Sequence, residues 1–119
     1  MVEKVIYVFL GGGAGSVIRF LISQGFLKIG LFSFPWATFA SNALSCLLMV
    51  AIIKWDRFGI NGGEGLRLLL FVGFLGGLST FSTFSYETSL LMKEGHLSMA
   101  FTNVGLSVSV CIYCLYKLT

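Results

Sequence analysis

The chain has 119 residues, of which 56% are hydrophobic and only 11% charged; its net charge is +3 and its mean hydropathy +0.92. A soluble domain of this size carries roughly 25% charged residues, so the composition excludes a dissolved monomer and points to lipid as the solvent. The eight lysines and arginines are scattered rather than clustered, which argues against nucleic-acid binding.

A membrane-spanning helix needs roughly 20 apolar residues, and four such runs account for nearly all of the sequence, leaving no length within it for a soluble catalytic domain. The first span is predicted over residues 4–26. The cluster from Gly11 to Gly15 continues the apolar run without a cleavage site, so this helix reads as retained rather than as a signal peptide. Residues 27–34 form a short connection, and Pro35 fits the first turn of a second span over residues 35–54. The polar stretch that follows holds Lys54, Asp56, Arg57, Gly59 and Asn61-Gly62-Gly63, which marks a loop. The third apolar segment covers residues 65–92. A turn with Lys93, Glu94, Gly95 and His96 leads into a fourth over residues 97–117. The whole reads as one four-helix transmembrane domain, residues 1–119.

Four spans put both termini on one side. That side carries Lys4, Lys54, Arg57, Arg67 and Lys117, and the opposite side Arg19, Lys28 and Lys93. The bias is weak, and it permits insertion in both orientations or a modest preference for termini inside. The cysteines Cys46, Cys111 and Cys114 all lie within apolar runs, where they read as small polarizable packing residues; the C-x-x-C of Cys111 and Cys114 has neither a second pair nor a nearby histidine.

The third segment is the most informative. From Gly73 to Ser85 it holds Gly73, Gly76 and Gly77, followed by the hydroxyl residues Ser79, Thr80, Ser82, Thr83 and Ser85 interleaved with Phe81 and Phe84. Glycine disfavours a helix by about 1 kcal/mol relative to alanine, and serine and threonine offer competing local hydrogen bonds. The glycines alone fit either of two readings. Gly73-x-x-x-Gly77 and Gly11-x-x-x-Gly15 are small-xxx-small patterns suited to helix contact; equally, the helix breaks where it is buried in protein or lines a cavity. The attached hydroxyl–phenylalanine run favours the break, placed near mid-membrane.

Three stretches together resemble the Fluc/CrcB family of fluoride channels: Gly-Gly-Gly-Ala-Gly-Ser-Val-Ile-Arg (residues 11–19), Asn42 in the second span, and Gly-Gly-Leu-Ser-Thr-Phe-Ser-Thr-Phe-Ser (residues 76–85). The resemblance covers all four spans. It implies a dimer of antiparallel subunits with two separate fluoride pores, and a structural sodium ion at the dimer centre held by backbone carbonyls of Gly76 and Ser79. It implies that Phe81 and Phe84 line a pore together with Asn42, that Glu87 stands near a pore mouth, and that Arg19 occupies the family position near the end of the first helix, facing a vestibule. Asn103 and Ser107 stand as candidates for the polar track that the family carries on its fourth helix. The chain departs from the family at Ser45 and Met49, where glycines are usual, and some family members pair as unlike subunits.

Elementary chemistry is compatible with these roles. Fluoride is small and strongly hydrated, and a buried ion without partners is costly. Asn42 offers amide N–H groups, Phe81 and Phe84 offer ring edges of partial positive charge, and Ser82 and Thr83 offer rotatable hydroxyls. A lysine in their place would hold the ion too tightly to release it. Each residue also has a plainer reading: packing for the phenylalanines, interhelical hydrogen bonding for Asn103 and Ser107, a solvated helix end for Glu87, and snorkelling for Arg19. Asn103, Ser107 and Cys111 share one helical face.

A small proton-coupled exporter of cationic drugs is the first rival reading. It needs an acidic relay inside the membrane, whereas Glu3, Asp56, Glu64, Glu87 and Glu94 read as helix ends or loops. A non-conducting assembly factor leaves Asn42 and the Ser79–Ser85 run without a role. A membrane enzyme lacks a histidine or carboxylate cluster. The resemblance therefore implies a passive fluoride-selective channel of the plasma membrane, multi-pass and not an enzyme. Its partners are fluoride, sodium, lipid and either a second copy or a homologous subunit, and it serves to lower cytoplasmic fluoride.

Overall fold

The structure is a computed structural model and describes residues 1–31, 33–57 and 63–119. All regular structure among the described residues is helical: α1 (Val2–Lys28), α2 (Trp36–Arg57), α3 (Gly63–Arg67) running into a π-helical stretch (Leu68–Leu75) and α4 (Gly76–Leu78), then α5 (Phe81–Lys93) and α6 (Leu97–Leu118). Four segments are long and apolar enough to cross a membrane: Val2–Lys28, Trp36–Asp56, Gly63–Lys93 and Leu97–Leu118. They agree with the four predicted spans to within one to three residues at each end. The loop predicted at Gly59, Asn61 and Gly62 lies outside the described residues, as does Phe32 in the first connection.

The helix ends follow from sequence. Gly95 adopts φ 85°, so the chain leaves α5 through a left-handed residue. His96 N–H then reaches Leu91 C=O at 2.8 Å and Gly95 N–H reaches Met92 C=O at 3.2 Å. This double bond pattern closes a helix where glycine bears no steric penalty, and the α5–α6 turn is the predicted one. Pro35 stands just before α2, its carbonyl accepting the N–H of Phe39 at 3.1 Å.

Lys4 pairs with Glu64 at 3.1 Å, and Arg67 pairs with Asp56 at 2.6 Å. These pairs bring the start of α1, the end of α2 and the start of α3 to one end of the bundle, as an up-and-down topology requires.

The tightest packing is between α1 and the third span. A Cβ added at Gly11 would collide with the Leu69 carbonyl, at Gly15 with the Phe74 carbonyl, and at Gly77 with the Gly12 carbonyl. At Gly73 it would lie 2.8 Å from Val8 O. The two small-xxx-small patterns thus face each other and bring two backbones into contact. Van der Waals contact of this kind is the main driving force for helix association in lipid. The outward faces carry Phe9, Phe101 and Tyr116, all well exposed, as expected of surfaces solvated by acyl chains.

The π-helical stretch was not anticipated. Its sequence, LLLFVGFL, is a uniform apolar run in which nothing marks a wider turn. Such turns are rare and concentrate near functional sites, and this one contains Gly73 and ends directly before Gly76.

Candidate functional site

Between α4 and α5 the backbone leaves the helix for two residues. Ser79 has φ −79°, ψ 155° and Thr80 has φ −153°, ψ 120°, both extended. Extended backbone exposes peptide groups that a helix would pair internally, and each has to be satisfied inside an apolar bundle. Asn42 from α2 does so for Thr80: the Thr80 N–H donates to Asn42 Oδ1 at 2.7 Å, and Asn42 Nδ2 donates to Thr80 O at 3.2 Å. Thr80 then caps α5, its Oγ1 accepting the Thr83 N–H at 3.1 Å, in the usual N-cap manner. Arg19 Nε donates to Gly77 O at 3.0 Å. The Leu75 carbonyl receives Ser79 N–H at 3.0 Å, Ser79 Oγ at 2.8 Å and Ser45 Oγ at 3.2 Å.

These bonds have a consequence for two other carbonyls. In a continuous helix Gly76 C=O would accept from Thr80 N–H, and Ser79 C=O from Thr83 N–H. Both donors are directed elsewhere, to Asn42 and to Thr80 Oγ1. Gly76 and Ser79 therefore present carbonyl oxygens without their helical partners. The space beside Gly76 is open, with no atom within 4 Å of an added Cβ.

Two cavities meet at Thr80. One is an open groove of about 340 Å³, lined by Asn42, Ser79, Thr80, Phe81, Phe84 and Ser107, with Cys46 and Cys111 on the same wall. Phe81 is 78% exposed and Phe84 is 8% exposed; their ring centroids are 5.6 Å apart and tilted by 40°. The other cavity, about 180 Å³, is polar and holds Arg19, Thr38, Ser41, Thr83 and Glu87. Glu87 accepts a hydrogen bond from Thr38 Oγ1. The Ser41 hydroxyl is buried and is the one buried side-chain polar atom among the described residues without a hydrogen-bond partner. An orphan hydroxyl lining a polar cavity is placed to bind water or an ion.

The predicted residues thus divide among several settings. Asn42, Phe81, Phe84 and Ser107 share the groove, whereas Arg19, Thr83 and Glu87 share the polar cavity. Glu87 lies within α5 rather than at a helix end, and is half-buried. Ser82 is exposed, with its hydroxyl 3.3 Å from Thr80 Oγ1. Asn103 is 1% exposed, donates from Nδ2 to Thr88 Oγ1 at 2.8 Å, and accepts from Ser107 Oγ at 3.3 Å. Thr88 in turn donates to Phe84 O at 2.8 Å, so α6 is tied to the backbone of the pore-candidate phenylalanine. Ser45 is buried and bonds within the chain to Leu75. Sequence reasoning did not single out Thr38, Ser41 or Thr88. Thr38 and Ser41 precede Asn42 on the face that meets the third span, and a helical wheel centred on Asn42 would have suggested them.

Fold and site together define a multi-pass integral membrane protein, with polar side chains gathered where the third span departs from helix. Residues 6–117 match the family described as CrcB-like protein, Camphor Resistance (CrcB). A relative from Phocaeicola vulgatus, named fluoride-specific ion channel FluC, is 42% identical over 103 residues, covering 86% of this chain and 84% of the relative. Proteins of the same name from Shewanella pealeana (41% over 114 residues, 96% and 91% covered) and from Geobacter sp. strain M21 (37% over 112 residues, 94% and 90% covered) are also similar. The chain belongs to the CrcB-like family, which is a family of ion channels and not of enzymes.

Proposed function

We propose that this chain is a passive, fluoride-selective channel of the plasma membrane that lets F⁻ leave the cell down its gradient. The observation that carries the reading is the groove in which Phe81 and Phe84 stand beside Asn42 and Ser107, at the start of α5. A helix N-terminus favours anions, phenylalanine edges carry partial positive charge, and none of these groups holds a full cation that would trap the ion. HF that has crossed the lipid dissociates in the cytoplasm, and the channel drains the resulting anion without ATP or a coupled proton.

In this reading the extended residues Ser79 and Thr80 are a break of the third span at mid-membrane. The polar cavity with Arg19, Thr83 and Glu87 serves as a vestibule: Arg19 attracts the anion, and Ser41 and Thr80 supply hydroxyls as water is shed. Thr80 lines both cavities, which supports a continuous path between them. Asn42 has one amide hydrogen beyond those engaged with Thr80, and this hydrogen is the one available to fluoride. Asn103 acts by bracing α5 through Thr88, and Ser107 lines the groove with its hydroxyl held by Asn103. Ser82, exposed beside Thr80, serves the outer wall.

The working unit is a dimer of antiparallel chains with two pores, inserted in both orientations. The paired carbonyls of Gly76 and Ser79 fit a central sodium ion, since interrupted helices supply such oxygens to hard cations; bound there, sodium would neutralise carbonyl dipoles brought together at the interface.

Expression in a fluoride-hypersensitive microbial strain lacking its own exporter tests the reading. The chain restores growth on fluoride, and Phe81→Ile at equal membrane abundance does not. Failure of the wild-type chain alone, cured by co-expression of a homologous subunit, would instead establish the unlike pair.

A further inference from the structure

The groove wall carries two thiols that the ion path does not use. Cys46 comes from the middle of α2 and Cys111 from α6; both are half-buried, and both line the groove. Both stand at the seam where α2 packs on α6. Cys114, nearly one turn further along α6, approaches Cys111 from outside the groove lining.

We propose that Cys46 and Cys111 form a two-coordinate site for a soft divalent d10 cation of the mercuric class, and that its occupancy closes the groove. Thiolate is the soft ligand such ions select. Binding breaks two S–H bonds and forms two sulfur–metal bonds; the two protons leave through the open groove, and no electron is exchanged. Two thiolates and one divalent cation give a neutral product, so no net charge is buried between the apolar helices, where an unpaired charge is costly. Among the described residues no three His, Cys, Asp or Glu side chains are grouped to hold a metal. That disfavours zinc, which takes four ligands, and leaves an ion content with two. The metal would stand beside Phe84 and Ser107, on the wall that the anion must pass.

The binding half does not depend on the fluoride reading; the occlusion half does. The full chain, reconstituted in liposomes, is exposed to mercuric chloride and then desalted against excess monothiol. Wild type and Cys114→Ser each retain one mercury per chain by elemental mass spectrometry and lose two maleimide-reactive thiols. Cys46→Ser and Cys111→Ser retain at least tenfold less, and Cys46→Ala serves where the serine variant does not fold. Wild-type retention in Cys46→Ser would assign the metal to Cys111 and Cys114 and overturn the proposal, as would no retention in wild type. Fluoride efflux stops on mercury addition in wild type and Cys114→Ser, and continues in Cys46→Ser. Undiminished efflux with mercury bound overturns the occlusion. Absence of efflux before any mercury is added, with or without a homologous subunit, overturns the fluoride reading, and the occlusion with it, while retention still decides the site.

Discussion

Asn42 and Thr80 form a closed pair: one side-chain amide on α2 accepts the N–H and donates to the C=O of a single extended residue, at 2.7 and 3.2 Å. The amide thus does the work of a neighbouring strand for a peptide group that no helix satisfies. A buried polar group left unpaired costs about 1–3 kcal/mol. Asn42→Leu is therefore expected to lower stability by about 2 kcal/mol, moderated by water in the open groove. Asn42→Asp keeps the acceptor but loses the donor, and falls between. Denaturant midpoints of the detergent-solubilised protein check the order.

The two phenylalanines of the groove separate function from stability. Phe81 is largely exposed and Phe84 is buried, so Phe81→Ile is expected to abolish fluoride efflux with little change in thermal midpoint. Phe84→Ala removes a buried aromatic side chain and is expected to cost about 3–5 kcal/mol, the usual range for such truncations. Equal loss of stability in both variants would show that Phe81 is packed in the assembled protein.

At their closest approach helix α1 and the third span meet backbone to backbone. A methyl at Gly15 collides with the Phe74 carbonyl, and one at Gly77 with the Gly12 carbonyl; in both cases the obstacle is backbone, which cannot swing aside as a side chain can. Gly15→Ala and Gly77→Ala are expected to prevent accumulation of folded protein, seen as loss of the monodisperse peak on gel filtration. Gly105→Ala, with open space beside it, is expected to be neutral or to stabilise by up to about 1 kcal/mol from helix propensity.

The buried pair of Asn103 and Thr88 lends itself to a double-mutant cycle. Thr88→Val leaves the Asn103 amide without its acceptor, and Asn103→Leu leaves the Thr88 hydroxyl with its bond to Phe84 O. Thr88→Val is expected to cost about 1–3 kcal/mol. The double variant, which removes both polar groups, is expected to be more stable than Thr88→Val alone.

The spans were legible because hydropathy and the demand for internal hydrogen bonding leave a long apolar run in lipid few alternatives but helix. The facing of Gly11 and Gly15 onto Gly73 and Gly77 was half-legible: the spacing marks contact faces without saying which faces meet. The run from Gly76 to Ser85 pointed to the segment containing Ser79 and Thr80, but gave no partner for either. The bonds from Asn42 to Thr80 and from Asn103 to Thr88 join separate helices, and local spacing carries no information about rotation between helices. The π-helical turns of Leu68–Leu75 had no local signal at all, since any leucine-rich run is equally content as α-helix.

The central claim is selective, uncoupled fluoride conduction. Liposomes containing the purified chain, loaded with equal fluoride and chloride and diluted into a medium free of both, with valinomycin to balance charge, test it most directly. The account predicts rapid F⁻ release at the ion-selective electrode, little Cl⁻ release, and no requirement for ATP or a proton gradient. Comparable release of the two anions, or no F⁻ release from folded protein with or without a homologous partner, would contradict it.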